Sequence, residues 1–102
     1  MAQTPEKRVK TKVESILKGE GAYYFFPATH GYGRSGVPDI IACVNGRFLA
    51  IECKAGGNKP TALQVREIEN IRSAGGVAVV VNEANWDMVR SLVRELSGKE
   101  KA

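Results

Sequence analysis

Asn45-Gly46 separates two β-prone runs, Asp39 to Val44 and Arg47 to Lys54. Both residues tolerate the positive φ of a type I′ turn, so the dipeptide is a strong two-residue hairpin signal. A turn of that length also fixes register. Val44 faces Arg47, Cys43 faces Phe48, and, stepping outward, Asp39 faces Glu52. Directly opposed residues share a face with Cβ atoms about 4.5–5.5 Å apart, and Lys54 joins that face by alternation. Two carboxylates and an ammonium therefore converge at the open end of one hairpin. Like charges opposed across a ladder are destabilising unless neutralised, and a hard divalent cation such as Mg²⁺ takes carboxylate oxygens. As solvated charges at a sheet's end the three would need no partner. Ile40, Ile41, Ala50 and Ile51 argue against that reading, because they make the hairpin a buried one, where unpaired charge is costly.

The remaining elements follow from periodicity. Thr4-Pro5 opens a first helix as N-cap and first helical residue, and Val9, Val13, Ile16 and Leu17 give it an apolar face to about Lys18. Ala22 to Phe26 reads as a buried strand ending at Pro27, and Thr29 to Gly36 as a flexible loop. Thr61 and Gln64 have capping-box spacing for a second helix carrying Leu63, Ile68 and Ile71, closed by Gly75-Gly76. Val77 to Val81 is a fourth strand. Asn85 is placed to cap a last helix with Trp86 near its start and a stripe of Val89, Leu92, Val93 and Leu96. The order is αβββαβα. Because both faces of the hairpin are largely apolar, helices should cover both sides of an α/β sheet.

Composition bounds the rest. The 102 residues make a single domain, 1–102, and 43% hydrophobic with 25% charged residues is ordinary globular usage. The longest apolar run, Val77 to Val81, is too short to span a bilayer, and the first residues lack a signal-peptide core, so an intracellular, cytoplasmic protein is expected. A net charge of +4 biases the chain modestly toward polyanions. Cys43 and Cys53 fall on opposite faces of one sheet and cannot bridge. With a single histidine, His30, structural zinc is excluded.

Pro38-Asp39 followed by Glu52-Cys53-Lys54 after a hairpin resembles the PD-(D/E)XK nuclease signature. Gly36-Val37-Pro38-Asp39, Glu52-Cys53-Lys54-Ala55 and Gln64 more narrowly resemble the VRR-NUC branch, in its small stand-alone phage and bacterial members. The likeness runs from about Glu6 to Glu83. It implies a restriction-endonuclease-like core with a mixed four-stranded sheet flanked by helices. It further implies a DNA endonuclease using Mg²⁺ or Mn²⁺ and leaving a 5′-phosphate and a 3′-hydroxyl. Asp39, Glu52 and the backbone carbonyl of Cys53 would be metal ligands, Lys54 would position the water, and Gln64 would sit close by. Stand-alone members look like homodimers acting on branched DNA, four-way junctions in particular. The alternatives are a non-catalytic nucleic-acid-binding module and a small sequence-specific duplex nuclease.

The branch also uses a glutamate of the first helix, directly on the metal or through water. Of Glu6, Glu14 and Glu20, Glu6 falls inside the apolar arc of that helix at about 100° per residue, Glu14 falls well outside it, and Glu20 lies beyond the helix. Arg34 and Tyr32 could grip a phosphate and stack on a base, and His30 could serve as a base. The basic residues Lys7, Arg8, Lys10 and Lys12 read as a solvated face. Two aromatic-rich segments, Tyr23 to Phe26 and the last helix with Trp86 and Met88, exceed what so small a domain covers alone, which points to a two-fold dimer through one of them.

Overall fold

The computed structural model describes residues 3–28 and 33–98. Helix α1 (Pro5–Gly19) starts where Thr4 Oγ1 accepts the Lys7 N–H at 3.1 Å, and it buries Val9, Val13, Ile16 and Leu17. Strands β1 (Tyr23–Phe25), β2 (Ile40–Val44) and β3 (Arg47–Cys53) follow, then α2 (Ala62–Ser73), β4 (Val77–Val81) and α3 (Met88–Ser97). The sheet order is β1-β2-β3-β4, with β1–β2 and β2–β3 antiparallel and β3–β4 parallel. A parallel neighbour requires a crossover, which α2 supplies. Among the described residues no helix is long and apolar enough to cross a membrane.

The turn behaves as its sequence dictates: Asn45 and Gly46 sit at φ 52° and 77°, and the register runs from Val44↔Arg47 to Ile40↔Ile51. One face of the sheet carries Ile40, Ala42, Val44, Leu49, Ile51, Cys53 and Val81 and packs under α1 and α3. The other carries Ile41, Ala50, Ala78 and Val80 under Ile68 and Ile71 of α2. Cys43 is exposed and Cys53 buried, as expected of opposite faces, and both thiols are free.

Four expectations need correction. The aromatic strand is an edge strand rather than a buried one: Tyr23 and Phe25 are 69% and 47% exposed. Its outer face is uncovered because α2 packs against β4, at the far side of the sheet. Asn85 does not cap α3. Its Oδ1 instead accepts the Asn82 N–H at 2.7 Å, building a turn, and the N-cap position falls to Asp87 without a side-chain cap bond. Leu63 faces solvent, so α2 buries a narrower stripe than its composition suggests. The apolar stripe of α3 is consumed within the monomer, where Val89 and Val93 are buried against the α1 core.

A candidate metal centre at the open end of the hairpin

Glu52 is the last but one residue of β3 and is only 1% exposed. Neither carboxylate oxygen has a hydrogen-bond partner among the described residues. Its neighbour in charge is Lys54, whose Nζ lies 3.6 Å from Oε2. Burial, reinforced by the nearby negative charge of Asp39, pushes the Glu52 carboxyl up to about 7, against a smaller opposing pull from Lys54. An ionised carboxylate in such a place calls for a cation.

Asp39 stands one residue before β2, so the ladder ends just short of it. Its Oδ2 accepts the Cys53 N–H at 2.8 Å, and its Oδ1 lies 3.6 Å from Lys10 Nζ. The N–H and C=O of one strand residue point to the same side, so the Cys53 carbonyl is also directed toward Asp39. The Cys53 thiol is turned into the core and is pushed up to about 12, chiefly by burial, so it remains protonated and offers no soft ligand. The available donors are oxygens of Asp39, Glu52 and the Cys53 backbone. An all-oxygen donor set with an orphaned buried carboxylate fits Mg²⁺ or Mn²⁺ rather than zinc.

Glu6 lies half-buried in the first turn of α1, and its charge contributes to the rise at Glu52 and Cys53. Among the described residues no three His, Cys, Asp or Glu side chains gather to hold a metal. Glu6 is therefore near the centre without being drawn onto it. Glu14, the candidate outside the arc, accepts a 2.8 Å hydrogen bond from the Tyr24 hydroxyl. Glu20 is paired with Arg94.

Gln64 does two things at once. Its Oε1 accepts the Thr61 N–H at 2.9 Å while Thr61 Oγ1 accepts the Gln64 N–H, completing the capping box. It also lines a hollow of about 410 Å³ beside Asp39. The α2 start is held there by Gly36: at φ 78°, a Cβ on this residue would lie 2.6 Å from the Leu63 carbonyl and 2.9 Å from the Gln64 nitrogen. Gly36→Ala should cost about 2 kcal/mol or more in urea unfolding and displace Gln64 from the hollow. Gly33→Ala is the control, since it meets the same positive φ but open space, and an equal loss in both would refute the close-approach explanation.

Arg34 lines the hollow beside Asp39, with its guanidinium held by α2. It forms a bidentate pair with Glu67 of α2 at 2.8 and 2.9 Å, which lowers the Glu67 carboxyl below its usual range. His30 and Tyr32 lie outside the described residues. Sequence reasoning missed Lys10. Its place three residues before Val13 and one after Val9 sets it at the edge of the buried stripe, and that phase was the available signal.

The αβββαβα order and the mixed four-stranded sheet with its parallel fourth strand define a restriction-endonuclease-like domain. A model of the archaeal Holliday junction resolvase (Hjc) family matches residues 6–99, and the chain belongs to that family. Two solved structures are similar. One, a VRR_NUC domain, is 26% identical with a TM-score of 0.71, covering 90% of this chain and 97% of its own. The other, a VRR_NUC domain protein, is 22% identical with a TM-score of 0.68, covering 94% and 90%, and speaks to fold alone. "Putative nuclease p44" of Acyrthosiphon pisum secondary endosymbiont phage 1 is 38% identical over 81 residues, 78% of this chain and 84% of that protein. The resemblance to VRR-NUC domains read from the motifs thus holds across the fold.

Proposed function

We propose that this chain is a DNA endonuclease that hydrolyses phosphodiester bonds with Mg²⁺ or Mn²⁺ held by Asp39, Glu52 and the Cys53 carbonyl, and with Glu6 acting through water. The observation that carries this reading is the buried, hydrogen-bond-free carboxylate of Glu52 facing Asp39. A non-catalytic module would have no use for so costly a group. When bound, the metal would neutralise charge on the scissile phosphate and lower the pKa of the attacking water. Lys54, with its ammonium held beside Glu52, orients that water for in-line attack. Gln64 has its carbonyl in the cap, so it offers its amide N–H to a phosphate oxygen.

Branched DNA is the proposed substrate, supported by the family to which the chain belongs. Cleavage of four-way junction, flap, duplex and single-stranded DNA in Mg²⁺, Mn²⁺ or EDTA tests this. Loss of all cutting in EDTA and preference for branches are expected; metal-independent cutting would overturn the assignment.

Among the described residues each chain offers one such site, so symmetric incision of two strands needs two copies. Tyr23, Phe25 and Phe48, all 46% exposed or more, make the apolar surface that a second copy would cover. A hollow of about 610 Å³ lies beside them, lined by Ile41 and Ile71. Light scattering should give about 22 kDa, twice the 11.1 kDa chain, and Phe25→Asp should return it to the monomer mass. A wild-type mass near 11 kDa would remove the dimer.

A further inference from the structure

We infer that the hollow beside Asp39 takes one unpaired nucleotide flanking the cut phosphodiester, with Phe26 as the platform for its base and Lys10 as the holder of its phosphate. This rests on the nuclease reading above and deepens it. The hollow, about 410 Å³, is of a size that takes a small ligand. Its walls combine Asp39, Lys10, Ser35 and Gln64 with the apolar surfaces of Phe26 and Pro27. A second hollow of about 280 Å³ shares Phe26 and Lys10 with the first and continues along α1 past Lys7 and Thr11. Phe26 is thus shared by two hollows that also share Lys10, and the first of them is bounded by Asp39.

The ring is held in place. Although 43% exposed, Phe26 stands edge-on to Tyr24, with centroids 6.1 Å apart and planes at 86°. Tyr24 is in turn anchored by its 2.8 Å hydrogen bond to Glu14. That bond and Lys18, 3.9 Å away, offset the one acidic charge lining the second hollow. Lys7 and Lys10, three residues apart on α1, lie on one side of the helix, so the cations follow the line of the two hollows. An aromatic platform beside a cationic track is the pattern by which single strands are bound. A base inside a continuous duplex has both faces covered by its neighbours. Only a nucleotide released at a branch, flap or bulge can lay a face on Phe26, so the subsite separates such DNA from plain duplex.

The test uses two duplexes of one sequence, fully paired or carrying a single unpaired 2-aminopurine next to the cut bond. Single-turnover cleavage is followed in Mg²⁺, and 2-aminopurine fluorescence is followed on binding in EDTA. The wild type should cut the unpaired substrate about 10-fold faster or more and quench the fluorophore by stacking. Phe26→Ala should lose the quench and bring the rate ratio toward unity, whereas Phe26→Trp should restore both. Lys10→Ala should lower the salt dependence of binding by about one unit of log–log slope. An unchanged ratio and quench in Phe26→Ala, or a wild-type ratio of unity, would overturn the subsite. A Phe26-dependent quench with no cleavage of either DNA would instead overturn the nuclease reading and leave the subsite standing.

Discussion

Glu52→Gln is expected to abolish cleavage and yet melt at a higher temperature than the wild type in metal-free buffer above pH 7. The wild-type carboxyl is raised from 4.5 to about 7 in the folded protein, so the native state holds its proton more tightly than the unfolded chain does. Its contribution to stability is fully present below about pH 4.5 and is lost as pH rises through about 7, an amount on the order of 3 kcal/mol. The glutamine variant carries no such titration, so its stability should stay flat across that window. Added Mn²⁺ should raise the wild-type melting temperature at pH 8, because a ligand of the folded state alone stabilises it by mass action. It should do little for the variant, and calorimetry should show weakened Mn²⁺ binding in both Glu52→Gln and Asp39→Asn. Parallel pH–stability curves for wild type and Glu52→Gln would mean that Glu52 is not the group that titrates. Unchanged Mn²⁺ affinity in both variants would place the metal elsewhere.

Lys54→Ala is expected to reduce single-turnover cleavage by about 10²–10⁴-fold, the range for a group that acts on a proton or a water in the transition state. Its side chain is only 12% exposed, but it ends on Glu52 rather than in the apolar core, so the fold should survive. The variant removes the cation beside Glu52, and that carboxyl then relieves its buried charge by taking a proton. DNA affinity measured in EDTA should change little. Full cleavage by Lys54→Ala would sink the site assignment, and a grossly lowered melting temperature would show that the lysine serves the fold instead.

The sequence by itself determined the features whose causes are local. Asn45-Gly46 can turn in only a few ways, and the two-residue loop places every following pair, so Asp39 and Glu52 were legible as neighbours before any fold was known. Period-two alternation sent Cys43 and Cys53 to opposite faces, and the Thr61–Gln64 spacing announced the capping box that forms. The arc of α1 likewise separated Glu6 from Glu14, and the end of the helix excluded Glu20. What only the tertiary structure decided depends on which surface each element meets. The aromatics of β1 were legible, but their exposure follows from the strand's place at the sheet edge beyond the reach of α2. The α3 stripe had equal claim to an interface, and the packing of α1 beside it consumed that surface. Arg34 is drawn to Glu67 from 33 positions away, and Lys10 reaches Asp39 from another element. No local pattern encodes such pairs, because a long side chain finds its partner only after packing has fixed where its backbone stands.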